Sequence, residues 1–204
     1  EFCFSRRAAA VVLHRKHLDY HPLKQQQATR SLGSMPLTAA SKRRSIKVAL
    51  LGLVGLTIAT YALSVETQMH EPGYEAACDI GAGFSCTAVF SSEYAHPLSH
   101  WGLVKQGDAL DIGLAVAGMA LYSTYFVAAC LWRLNLVPYR QPLFLVVATA
   151  GACFSCYLLY VLKFILGDFC IVCTGFHCVN FSMFAVALFE FFDSNTSGKG
   201  GKRA

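Results

Sequence analysis

The residues best suited to chemistry in this chain are two cysteines three apart, Cys170 and Cys173, in the stretch Gly167-Asp168-Phe169-Cys170-Ile171-Val172-Cys173-Thr174. Gly167 interrupts the apolar run before them and Asp168 is a good N-cap, so a helix is expected to begin at Asp168 with both thiols on one face. That spacing permits a disulfide. The partial positive charge of a helix N-terminus favours a thiolate, and Asp168 partly opposes it. The chemistry this suggests is thiol–disulfide exchange. A second pair, Cys78 and Cys86, lies in C-D-I-G-A-G-F-S-C-T. Its two glycines let the segment close a disulfide on itself or bend one sulfur toward another pair. On the loop alone, a structural staple and an electron shuttle are equally good readings.

The elements that must position these thiols are membrane helices. Of 204 residues, 55% are hydrophobic and 14% charged, with a mean hydropathy of +0.45, which marks a polytopic membrane protein. Apolar runs at about 46–65, 109–132, 143–166 and 168–192 are each long enough to span the hydrocarbon core. The segment 66–108 between the first two holds six acids against the single Lys105, so it belongs outside the bilayer as a cap. The expected fold is an all-α integral membrane protein, a four-transmembrane-helix bundle with a lumenal cap loop between helices 1 and 2. Gly52, Gly55, Gly118, Cys130 and Cys178 read as helix-packing residues, and the Phe-rich stretch from Phe181 to Phe192 as lipid-facing bulk.

Residues 1–45 carry nine of the seventeen Lys and Arg against two acids and show no periodicity. They are expected to be a disordered basic leader, either an organelle-targeting segment or sequence upstream of a natural start at Met35. Residues 193–204 form a basic tail. Lys42, Arg43, Arg44 and Lys47, then Arg133 and Arg140, then the tail all fall on one side, which the positive-inside rule makes cytosolic. Cys78, Cys86, Cys170 and Cys173 then share the opposite, lumenal side. The sequons at Asn180, in a span, and Asn195, in the tail, are expected to go unglycosylated.

At this point the chain resembles the vitamin K epoxide reductase family of integral membrane thiol oxidoreductases. C-D-I-G followed by S-C-T is similar to the family's loop-cysteine motif, Ser99-His100-Trp101-Gly102 to its S-x-W-G, and Asp168 through Cys173 to its D-F-C-I-V-C. The resemblance covers roughly residues 46–192 and implies a quinone pocket capped by the lumenal loop. It implies that Cys173 attacks a quinone or its epoxide, that Cys170 resolves the adduct, and that Cys78 and Cys86 relay electrons. It further implies quinone contacts from Asp111, His177, Trp101 and Phe84. Asp111 stands where animal members have an Asn, and His177 where they have a Tyr. A thioredoxin-like lumenal protein is the implied electron donor, since no such sequence follows the fourth span here. The endoplasmic reticulum membrane is the implied location, with both termini cytosolic, and a plastid membrane is the alternative.

Other patterns carry less. Cys153-Phe154-Ser155-Cys156 is a second C-x-x-C, but it sits mid-span, away from water and from any helix N-terminus, where thiols behave as small apolar groups. A metal site built from Cys170, Cys173, His177 and Cys178 requires one helix to surround an ion, which disfavours it, and no metal is expected. No phosphate cradle or basic footprint appears beyond the leader, so neither a nucleotide cofactor nor nucleic acid is expected. A thiol oxidase using another quinone without epoxide reduction, and a tetraspan scaffold whose cysteines only staple the cap, are the alternatives.

Overall fold

The computed structural model describes residues 39–81, 83–136 and 140–200, so the leader up to residue 38 and the last four residues lie outside the described residues. In chain order the helices are α1 (Ala39–Gln68), α2 (Cys86–Phe90), α3 (Pro97–His100), α4 (Leu114–Arg133), α5 (Arg140–Tyr160) and α6 (Ile171–Gly200). A π-helical stretch, Val161–Leu166, extends α5. Four of these elements are long and apolar enough to cross a membrane: α1, α4, α5 with its extension, and α6. They form the four-helix membrane bundle expected from the sequence, with the cap between the first and second spans.

Lipid gives apolar helices no hydrophobic reason to associate, so close packing has to hold them together. Here α1 packs on α4 and α6, and α5 packs on α6. Small residues make those approaches possible. A Cβ at Gly52 would lie 3.2 Å from the Phe126 backbone nitrogen, and one at Gly118 3.2 Å from the Phe176 ring. At Gly55 the same space is filled by the ring of Tyr122. The helix-packing reading therefore holds for these glycines. It fails for Cys130 and Cys178, which are exposed on the outside of the bundle. Phe181, Phe189 and Phe192 are also exposed there, as expected.

At the end of the bundle away from the cap, Glu190 is buried and accepts hydrogen bonds from Ser41 Oγ and Arg44 Nη1, both at 2.7 Å. Arg44 also pairs with Asp193, and Trp132 Nε1 donates to Ser41 Oγ at 3.2 Å. A buried carboxylate is costly unless it is paired. This cluster accounts for helical chain on the polar side of the apolar run at 46. The polar first turns are held against α6.

The cap folds over the other end. Ala76, Cys78, Cys86, Val89 and Phe90 are buried against Ala62, Val65, Leu162 and Val172 of the bundle. Each large side chain so buried contributes roughly 1.5–3 kcal/mol. His96 lies between two carboxylates, with Nε2 3.6 Å from Glu66 Oε1 and Nδ1 3.4 Å from Asp111 Oδ1. It bridges the end of α1 and the approach to α4.

Candidate redox site and its cavity

The loop between Cys78 and Cys86 is a tight hairpin. Ile80 N–H donates to Phe84 O at 3.1 Å and Phe84 N–H to Gly81 O at 3.0 Å. Gly83 sits at φ +82°, a conformation that favours glycine. From that turn the Gly83 carbonyl accepts the Phe169 N–H at 2.8 Å, and the Phe84 and Phe169 rings meet edge to face at 5.3 Å. The loop is thereby fastened to the residue just before Cys170.

Asp79 fixes the other side of the loop. Its Oδ1 accepts the Cys86 N–H at 2.6 Å and the Thr87 N–H at 3.1 Å, and its Oδ2 accepts the Thr87 hydroxyl. Those are first-turn donors of α2, which otherwise lack partners. Partial burial opposes ionisation of Asp79, but the bonds from Thr87, Ser85 and Cys86 outweigh it and hold the carboxyl below its ordinary range.

Cys78 and Cys86 form a disulfide, and both are buried. Cys86 Sγ lies 3.5 Å from Cys170 Sγ, in van der Waals contact. The fourth spanning helix begins at Ile171 rather than Asp168, and residues 167–170 lead into it as non-helical chain with the Phe169 N–H bonded to the loop. Cys170 consequently sits at the helix entrance. Its sulfur accepts the Cys173 N–H at 3.3 Å, the bond a capping side chain makes. Cys170 and Cys173 are free thiols, three residues apart as the sequence requires.

Cys173 also lines a cavity of about 200 Å³ between the spans. Leu114, Leu121, Phe154, Leu158 and Phe176 give it apolar walls, and the polar groups facing it are Tyr122, Ser155, His177 and Asn180. His177 is 4% exposed, and among the described residues neither ring nitrogen has a hydrogen-bond partner. A buried unpartnered imidazole is expensive, and this one lies on the cavity wall with Cys173.

Of the four quinone contacts expected from the resemblance, the structure places only His177 on the cavity wall. Asp111 belongs to the cap junction, where it accepts the Gly107 N–H at 3.1 Å and faces His96. Trp101 is half exposed and packs against Phe154 and Tyr157, with ring centroids 6.3 and 6.0 Å away. It reaches the cavity wall from the outer side. Phe84 packs on Phe169, at the loop clasp. Cys153 and Cys156 are exposed on the bundle surface, while Phe154 and Ser155 between them face inward.

Sequence reasoning missed Tyr122, Ser155 and Asn180 as site residues. A signal was present, since polar side chains inside apolar spans usually face a bundle interior or a functional path. The reading of Asn180 as an unused sequon obscured it. The four residues of the rival metal set are not brought together, and Cys178 points outward. Among the described residues the group compact enough for an ion is Cys78, Asp79 and Cys86, where the disulfide occupies both sulfurs.

Residues 46–188 match the Vitamin K epoxide reductase family. The chain is 33% identical over 138 residues to Vitamin K epoxide reductase complex subunit 1 of Mus musculus, an alignment covering 64% of this chain and 80% of that protein. Similarity to the same subunit of Rattus norvegicus has the same extent, again at 33% identity over 138 residues.

Proposed function

Because the chain belongs to the vitamin K epoxide reductase family, whose redox chemistry it shares as an oxidoreductase, we propose that it moves electrons from protein thiols to a quinone or quinone epoxide held beside Cys173. The observation that carries this reading is the continuous line of sulfur. The Cys78–Cys86 disulfide touches Cys170 at 3.5 Å, Cys170 is bonded to the backbone of Cys173, and Cys173 opens onto the cavity.

The relay is written as exchange. A reduced Cys86 attacks Cys170 in a Cys170–Cys173 disulfide and releases the Cys173 thiolate. Cys78 then attacks Cys86, closes the loop disulfide and releases Cys170. The arrangement in the structure, with the loop oxidised and the C-x-x-C dithiol free, corresponds to the end of that exchange. The Cys173 thiolate next forms a carbon–sulfur bond to the quinone ring. Cys170 attacks the Cys173 sulfur, the new disulfide forms, and the bond to carbon breaks with its electron pair left on the ring. Two protons complete the hydroquinone. With an epoxide, the same two electrons yield quinone and water. His177 holds a substrate oxygen by hydrogen bond, a role open to a neutral imidazole.

The electron donor in this account is a thioredoxin-like protein on the cap side of the membrane. That side is the lumen of the endoplasmic reticulum, or the equivalent compartment of a plastid, with both termini cytosolic. A second reading, thiol oxidation using another quinone without epoxide reduction, draws on the donor set at the cavity, where an imidazole lies beside Cys173 and Asp111 is not on the wall. Dithiol-driven reduction of a menaquinone, a phylloquinone epoxide and a ubiquinone analogue, with Cys173→Ala in parallel, tests both. Turnover that needs Cys173 supports the dithiol mechanism, and the preferred substrate separates the two readings. Folded protein that turns over none of the three contradicts both.

A further inference from the structure

The polar groups of the cavity are arranged in a line. Cys173, His177 and Asn180 recur at four- and three-residue spacing, so they share one face of α6. Beyond His177, side chains from three helices join. Tyr122 Oη donates to Asn180 Oδ1 at 2.9 Å, and Asn180 Nδ2 donates to Ser155 Oγ at 2.8 Å. Tyr122 and Ser155 are each 1% exposed, so packing holds both side chains in place.

Tyr122 Oη lies within reach of two acceptors, Asn180 Oδ1 at 2.9 Å and the Phe176 carbonyl at 3.4 Å, and its single hydrogen goes to the nearer. The amide nitrogen then faces Ser155 on α5. One amide hydrogen is then spent on Ser155. The second finds no acceptor among the described residues. His177, three residues earlier, also has no partner at either nitrogen. Two unspent donors in an otherwise apolar cavity cost free energy until a ligand takes them. Their positions on α6 differ by about 4.5 Å of axial rise. A flat ring with an oxygen acceptor on each of two opposite edges satisfies both, and that is the shape of a 1,4-quinone.

We infer that Asn180 is a specificity-determining residue of this site, its second amide hydrogen donated to one carbonyl of a 1,4-quinone whose other carbonyl is held by His177. Tyr122 and Ser155 are positioning residues that orient the amide. This inference rests on the quinone reading above and extends it to a requirement for two carbonyls. Holding both has a chemical consequence. When the Cys173 thiolate adds to a ring carbon, the ring double bond shifts its electrons onto the carbonyl conjugated with that carbon, and a donor is already in place on that oxygen.

The test compares two ligands in Cys173→Ser protein: 2,3-dimethyl-1,4-naphthoquinone, and 2,3-dimethyl-1-tetralone, which keeps the fused rings but only one carbonyl. With Asn180 intact the dione is expected to bind about tenfold more tightly, the worth of one net hydrogen bond. In Asn180→Leu that preference is expected to shrink to less than about twofold. In Tyr122→Phe, which removes one oxygen atom and leaves the packing, it is expected to fall at least about threefold. A preference that survives unchanged in the folded variants, with both ligands weakened equally, makes Asn180 a helix brace and overturns the inference. Failure of both ligands to bind while Asn180 is intact instead removes the quinone reading, and this inference with it.

Discussion

The sulfurs of Cys86 and Cys170 lie 3.5 Å apart although 84 residues separate them in the chain. Two local anchors produce that contact. Asp79 binds the first turn of α2 and so places Cys86, and the Gly83 carbonyl takes the Phe169 N–H and so places Cys170. The placement of these two sulfurs therefore rests on the loop's hydrogen bonds.

Asp79→Asn is expected to slow exchange between the loop and the C-x-x-C dithiol, because an amide cannot accept from Cys86, Thr87 and the Thr87 hydroxyl as a carboxylate does. The same residue gives the cap a pH dependence. Its folded pKa lies below the ordinary carboxylate value, so its stabilisation is fully present above that value. It is lost as pH falls through the depressed folded value. Hydrogen exchange of residues 78–90 is expected to speed up at that acid edge in the native chain, and to show no such edge in Asp79→Asn.

His177→Phe is expected to lower kcat/KM for a quinone by about ten- to a hundredfold, the range for losing one buried hydrogen bond to substrate. The same change is expected to leave thermal stability unchanged or higher, since it removes a buried imidazole with no partner. Steady-state kinetics beside thermal unfolding in detergent checks both halves. A fall in stability with unchanged kinetics would make His177 a structural residue.

Much of this architecture is legible in the sequence. Four apolar runs, acids gathered between the first two, and glycines at 52, 55 and 118 are enough to give the bundle, its cap and its tight contacts. Gly167 was legible as a break, and it stands at φ +69° between the third and fourth spans. What the sequence does not show is how residues from different helices meet. Helical spacing can set Cys173, His177 and Asn180 on one face, but only the packed bundle brings Tyr122 and Ser155 to Asn180. Asp111 lies off the cavity wall for a similar reason. The helix starts at Leu114, so Asp111 stays in the cap junction beside His96 while Leu114 reaches the cavity.

Gly55→Ala is expected to destabilise the protein by about 1–3 kcal/mol, the usual cost of overpacking, because its Cβ would overlap the Tyr122 ring. Tyr122 also lines the cavity, so quinone affinity is expected to fall with stability. Thermal unfolding and ligand titration of the same sample measure the two effects.

Arg44→Leu is expected to cost about 3–5 kcal/mol, since it leaves Glu190 buried without its cation. Arg44→Leu with Glu190→Leu is expected to recover most of that loss, because the paired apolar residues carry no unmatched charge. The comparison of single and double variants in thermal unfolding is the check.

The central claim, that electrons pass between Cys86 and Cys170, is tested most directly in the variant Cys78→Ala with Cys173→Ala. Each attacking cysteine then lacks its own partner, so the mixed disulfide cannot resolve. Peptide mapping by mass spectrometry after mild oxidation is expected to show Cys86 linked to Cys170 as the main product. Recovery of Cys86 and Cys170 as separate thiols, in protein that remains folded, would contradict the relay.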